Sequence, residues 1–98
     1  MKNRKSKDIQ TVLLKKGFIL EPEKDHHQFY FLQIDGKKQA IKTYFSHSLK
    51  EYDKSLMGLI KKQLKFNDTQ KAEDFFDCPM SKEQYVEMLI ELGEIKKQ

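Results

Sequence analysis

The chain has 98 residues, of which 38% are hydrophobic and 35% charged, and its net charge is +4 at pH 7. This length and composition predict one domain with a modest core, and no apolar run reaches the roughly 18 residues that a membrane span requires. No apolar segment follows the charged N-terminus, which argues against a signal peptide, and the single Cys78 has no partner for a disulfide, so we expect a cytoplasmic protein without a membrane partner.

The first predicted element is a helix that begins at Ser6, which can cap it, and ends before Gly17. Ile9 and Leu13 are one helical turn apart, so one apolar stripe of this helix is expected to face the core. The following F-I-L-E segment has the composition of a β-strand, and Pro22 ends it because proline lacks a backbone donor.

A hairpin is predicted next, because Asp35 and Gly36 separate two strand-like segments, residues 26–34 and 37–45. Asp-Gly favours a two-residue turn, since both of its central positions require a positive φ angle. An uninterrupted ladder from this turn pairs Leu32 with Gln39, Tyr30 with Ile41 and His26 with Phe45.

A second helix is predicted after Asp53, whose side chain suits an N-cap position. Four apolar residues define its predicted buried face: Leu56, Leu59, Ile60 and Leu64. Up to this point the predicted order is α-β-β-β-α. It corresponds to an α+β fold in which a three-stranded antiparallel sheet packs on helices.

The last third of the chain differs from the rest in charge. Residues 66–98 hold 4 Lys and 8 Asp or Glu, whereas residues 1–65 hold 15 Lys or Arg and 7 Asp or Glu. A basic body of this kind indicates either a polyanion-binding protein or a solvated lysine-rich surface, and charge alone does not decide between them. Within the acidic part, one helix is predicted to begin at Asp68 or Thr69 and to end before Pro79.

The final predicted helix begins with a capping box formed by Ser81 and Gln84. Its apolar stripe comprises Tyr85, Met88, Leu89 and Leu92. Two interpretations stay open: the acidic side chains fold over the basic face as an internal polyanion mimic, or the stripe enlarges the core or forms a homodimer contact. The width of the stripe favours the second. We therefore expect one compact domain in which residues 66–98 are an acidic helical extension packed on residues 1–65.

Two adjacent histidines, His26 and His27, stand at the start of the second predicted strand. Neighbouring strand residues point to opposite faces, so only one of them can address a given site. An imidazole transfers protons near neutral pH, and RNA cleavage requires a base for the 2′-hydroxyl together with cations near the phosphate. The alternative is that both are ordinary polar residues at a strand end. No metal-ligand spacing is present, so neither a metal site nor a cofactor is predicted.

Three consecutive aromatic residues, Phe29, Tyr30 and Phe31, follow the histidines. Aromatic side chains on an exposed sheet face stack on nucleic-acid bases. A run of this kind more often belongs to a core, because two of every three consecutive strand residues share a face.

From residue 6 to about residue 65, several motifs occur in a recognisable order: S-K-D, a helix ending K-K-G-F, H-H-x-F, the Asp-Gly hairpin and a helix of L-x-x-L-I-K-K type. In these features the chain resembles the HicA toxin family, also called YcfA-like. The resemblance implies a fold like a double-stranded-RNA-binding domain. It also implies a ribosome-independent mRNA interferase, a metal-independent RNA endonuclease of a type II toxin–antitoxin system, which a HicB-like antitoxin holds inactive.

By position, the resemblance implies that His26 is the catalytic residue. Lys24 and Asp25 stand beside it, where the family usually has Gly and Ser, and they are its predicted supporting residues. Five lysines of the basic body are predicted to hold RNA phosphates: Lys37, Lys38, Lys42, Lys61 and Lys62. Two alternatives stay open, a non-catalytic RNA-binding module on the same scaffold and a protein-interaction domain whose charge is incidental.

Overall fold

A computed structural model describes residues 1–21, 27–46, 49–77 and 79–96, with the backbone alone at His27. In these residues the chain forms an α+β fold with a three-stranded antiparallel sheet and four helices, as the sequence predicts. In chain order the elements are β1 (Arg4–Lys5), α1 (Ser6–Lys15), β2 (Phe18–Glu21), β3 (His27–Ile34), β4 (Lys37–Ser46), β5 (Glu51–Tyr52), α2 (Lys54–Gln63), α3 (Thr69–Asp77) and α4 (Lys82–Glu91).

The three-stranded sheet has the order β2-β3-β4, so β3 is its central strand. Helices cover one face of this sheet. The Tyr30 hydroxyl donates to Gln10 Oε1 of α1 at 2.7 Å, and the Thr43 hydroxyl donates to Gln63 Oε1 of α2 at 2.6 Å. Because side chains alternate along a strand, the residues between these inward-facing positions lie on the opposite face.

A second, two-stranded ribbon joins β1 to β5, with Arg4 opposite Tyr52 and Lys5 opposite Glu51. This ribbon changes the start of α1 from the predicted one. The backbone N–H of Ser6 donates to the Lys50 carbonyl at 2.8 Å, so Lys5 occupies the N-cap position and Ser6 is already helical. The predicted Ser6 cap is therefore wrong by one residue.

The hairpin turn has the predicted form, with φ angles of 50° at Asp35 and 78° at Gly36. Beyond its first two pairs, a bulge between Phe31 and Gln33 shifts the register. As a result Tyr30 faces Thr43 rather than Ile41, and Phe45 faces Gln28 rather than His26. The predicted register is wrong there. The bulge adds two residues to β4 relative to β3, so the register shifts by an even number of residues. Each side chain therefore stays on the sheet face that strand alternation predicts for it.

Helix α2 begins as predicted, because the Asp53 carboxylate accepts a hydrogen bond from the Leu56 backbone N–H at 3.0 Å. Its buried face differs slightly from the predicted one. Met57, Ile60 and Leu64 are buried, whereas Leu59 is 45% exposed. The helix is thus rotated toward Met57, a residue that the predicted stripe omits.

Helices α3 and α4 share the core of the sheet. The Phe75 ring lies 6.4 Å from that of Phe18 in β2 and 4.8 Å from that of Tyr85 in α4. The Tyr85 hydroxyl donates to the Leu64 carbonyl at 2.7 Å, and burial raises the pKa of Tyr85 well above its ordinary value. The predicted Ser81 capping box is confirmed, and Leu92, predicted to lie in the apolar stripe, is 39% exposed. The homodimer contact through α4 stays a prediction.

Acidic residues of α3 pair with the N-terminal segment. Arg4 contacts Glu73 at 2.9 Å and Asp77 at 3.2 Å, and Lys2 contacts Asp77 at 3.2 Å. These carboxylates therefore face the first residues of the chain. None of the helices in the described part of the chain combines the length and the apolar composition that a membrane crossing requires.

Candidate nucleic-acid interface

The predicted catalytic residue His26 and its predicted supporting residues Lys24 and Asp25 lie outside the described residues. The described chain resumes at His27, whose backbone pairs with Ser46 at the end of the β3–β4 ladder farthest from the hairpin turn. His27, at this end of the ladder, is the described residue that follows the predicted catalytic residue in the chain.

A groove of about 630 Å³ lies at this end of the sheet, between α1, the ends of β3 and β4, and the segment before β5. We call it the lysine groove. Its polar lining includes three lysines, two glutamines and two serines: Lys5, Lys7, Lys50, Gln10, Gln28, Ser6 and Ser46. No carboxylate is among its described lining residues. Three ammonium groups without a carboxylate in the described wall favour anions in the groove, and Glu51, opposite Lys5 in the β1–β5 ribbon, lies outside that lining.

The β1–β5 ribbon assembles the three lysines from distant parts of the chain. The hydrogen bond from the Ser6 backbone to the Lys50 carbonyl holds the start of α1 beside the segment that precedes β5. Lys5 ends β1 and Lys7 lies in the first turn of α1. All three lysine side chains are exposed, so their ammonium groups are available to a ligand.

A chain of hydrogen bonds fixes the groove's polar wall. The Tyr30 hydroxyl donates to Gln10 Oε1, and Gln10 Nε2 donates to the Ser6 hydroxyl oxygen at 2.7 Å. A tyrosine hydroxyl is protonated at neutral pH, and burial raises the pKa of Tyr30 further, so this hydroxyl is a donor. The Gln10 amide is therefore held in one orientation.

The sheet face opposite the helices carries aromatic rings with lysines above them. We call this surface the aromatic face, and it consists of Phe29, Phe31, Tyr44, Lys38 and Lys42. The Phe29 and Phe31 rings are stacked with centroids 6.3 Å apart and planes 27° apart, and Tyr44 lies 5.4 Å from Phe29. Lys38 Nζ is 4.4 Å from the centre of the Phe31 ring. Of the three consecutive aromatic residues, Tyr30 alone is in the core.

The five predicted phosphate-binding lysines are divided between two sides of the sheet. Lys38 and Lys42 belong to the aromatic face, where Lys38 also contacts the Glu21 carboxylate, and Lys37 is exposed beside the hairpin turn. Lys61 and Lys62 are on α2, in the helical layer, and Lys61 Nζ donates to the Thr69 hydroxyl at 2.9 Å. These five residues therefore do not form one continuous surface.

Sequence reasoning missed the groove lysines Lys5, Lys7 and Lys50. The pairing of β1 with β5 places these lysines together. Each of these strands has only two residues. A two-residue strand shows no alternation, so its pattern cannot be distinguished from that of a loop.

The chain was compared with protein-family models, with curated proteins and with solved structures, and none of them matches it.

Proposed function

We propose that this protein binds RNA and cleaves it as an mRNA interferase of the HicA type, with the RNA backbone in the lysine groove and His26 as the acid–base residue. The observation that carries the proposal is the lysine groove itself. It has three exposed lysines and no described carboxylate, and one of its walls is Ser46, the ladder partner of His27. His26 is the next residue along the chain from His27.

The chemistry requires few groups. An imidazole accepts the proton of a ribose 2′-hydroxyl, the oxygen attacks the adjacent phosphorus, and the bond to the 5′ oxygen breaks as that oxygen takes up a proton. The negative charge that develops on the phosphate is stabilised by ammonium groups. In this proposal Lys5, Lys7 and Lys50 supply those groups, and His26 supplies the imidazole.

The order of helices and strands also supports the proposal of a HicA-type protein. Setting aside the two-residue strands, α1, β2, β3, β4 and α2 follow one another as α-β-β-β-α, with the helices on one side of the sheet. We propose that this part of the chain is a variant of the double-stranded-RNA-binding-domain fold that the resemblance to HicA implies. A HicB-like antitoxin would then inhibit the protein by covering the lysine groove.

A non-catalytic RNA-binding module on the same scaffold is the second candidate. One observation favours it. The lysine groove offers exposed ammonium groups and the aromatic face offers rings, which suit RNA phosphates and bases, and neither feature requires a histidine.

Removing the groove charges tests RNA binding. Replacing Lys5, Lys7 and Lys50 by Gln should weaken the affinity for single-stranded RNA by about a hundredfold at about 0.1 M salt, because each lost phosphate contact removes about 0.7 from the slope of log affinity against log salt. Fluorescence anisotropy with a labelled oligonucleotide measures this affinity.

A matched control removes the same charge elsewhere. Lys15, Lys71 and Lys96 are exposed and do not line the groove, so replacing these by Gln should change the affinity by about threefold or less. Equal losses in the two triple variants would show that only net charge matters and would contradict the assignment to the groove. Wild-type affinity that does not change with salt would favour a protein-interaction domain instead.

A further inference from the structure

We propose that the aromatic face is a second part of the RNA site, on which the rings of Phe29 and Phe31 stack unpaired bases. This inference rests on the proposed function, because it takes RNA as the ligand of the groove. It adds a base-binding surface to a phosphate-binding one, and it predicts that the protein prefers single-stranded RNA to a duplex.

The ring geometry suits base stacking. Phe29 and Phe31 are two residues apart on the central strand, and both rings are partly exposed on the side of the sheet away from the helices. With centroids 6.3 Å apart and planes 27° apart, the two rings form neighbouring apolar surfaces on this face. Every base offers a π-face, so a platform of this kind binds unpaired bases with little sequence preference, whereas the bases of a duplex are already stacked on one another.

The lysines of the aromatic face suit the phosphates that accompany those bases. Lys42 Nζ lies 5.6 Å from the Phe29 ring centre and 5.7 Å from that of Phe31. Lysine chains are long and flexible, so in the bound state their ammonium groups can exchange the ring faces for phosphate oxygens. The Glu21 carboxylate contacts Lys38. Among the described ion pairs, none involves Lys42.

The lysine groove and the aromatic face meet along one strand. Ser46 lines the groove, and Tyr44, two residues earlier on β4, belongs to the aromatic face. Two strand residues span about 7 Å, so one RNA strand can pass around the end of the β3–β4 ladder and occupy both surfaces. Charge favours RNA over a second copy of this chain as the occupant, since a symmetric dimer through this face would bring Lys38 and Lys42 close to their own counterparts.

The experiment compares ring variants on RNA with and without bases. Phe31→Ala and Phe31→Leu remove the ring, and Phe31→Leu keeps most of its apolar bulk, which protects the fold. Leu92→Ala is the control, because Leu92 is an exposed apolar residue at the C-terminal end of α4. The probes are an oligoadenylate of about 12 nucleotides, an abasic ribose-phosphate chain of the same length and a duplex of the same length.

We expect Phe31→Ala to weaken binding of the oligoadenylate by about tenfold to a hundredfold and Phe31→Leu by at least about fivefold, with unchanged salt dependence. Binding of the abasic chain should stay as in the wild type for both. An equal loss on the abasic chain, no loss on the oligoadenylate, or tighter wild-type binding of the duplex would overturn the inference while leaving the groove intact. Loss of a wild-type dimer on mutation, without a change in RNA affinity, would overturn it in favour of a second copy. If the wild type binds none of the probes, the proposed function itself fails.

Discussion

His26→Ala is expected to slow the cleavage of single-stranded RNA by about a hundredfold to ten-thousandfold, because the variant lacks the group that accepts the 2′-hydroxyl proton. Binding should change little, since the groove lysines Lys5, Lys7 and Lys50 are untouched. Single-turnover cleavage of a labelled oligonucleotide in excess chelator measures the rate and also tests the predicted metal independence.

His27→Ala is the matched control, because it removes an imidazole from the adjacent position in the sequence. It should retain most of the cleavage rate if His26 is the residue that acts. Equal cleavage by the wild type and the His26 variant would rule out the catalytic assignment. The non-catalytic RNA-binding module would then be the better account. The groove variants would still test RNA binding, because that measurement does not depend on cleavage.

Phe75→Ala is expected to lower the free energy of unfolding by about 3 to 5 kcal/mol, the usual cost of deleting a fully buried ring. Phe75 is 0% exposed, and its ring contacts those of Phe18, Phe66 and Tyr85. The free energy of unfolding of a natural domain is about 5 to 15 kcal/mol in total, so the expected loss is a large part of the stability. Urea unfolding followed by circular dichroism measures it.

Leu92→Ala is the control for this substitution, since Leu92 is an apolar residue of the C-terminal part that is 39% exposed. It should lower stability by less than about 1 kcal/mol. Both variants should unfold in a single transition, because Phe75 packs on β2 as well as on α4. Two separate transitions, with Phe75→Ala affecting only one of them, would show that residues 66–98 fold apart from the sheet.

Local sequence signals account for most of the fold. The Asp35–Gly36 turn, the Asp53 cap and the Ser81 capping box each depend on residues within four positions of one another, and each forms as predicted. Interruptions of a regular pattern were not predictable in the same way. The bulge after Phe31 inserts residues into β4 without a glycine or proline to mark it, so the pairing beyond it shifted from the expected register.

The candidate site was less predictable than the fold, because it depends on contacts between distant parts of the chain. The β1–β5 ribbon brings Lys5 and Lys50 together, whereas the lysines that the sequence predicts for the site lie in longer elements or beside them. The aromatic residues show the opposite case. Strand alternation alone separates Tyr30, which is in the core, from Phe29 and Phe31, which lie on the other face.

The most direct test of the account is to map single-stranded RNA on the protein by amide chemical shifts in a two-dimensional NMR titration. We predict that the largest shifts occur at Lys5, Lys7, Gln28, Ser46 and Lys50, and that the outer residues of α3 and α4 change little. Shifts concentrated on residues 69–91, with none in the lysine groove, would contradict the central claim that this groove holds the RNA backbone.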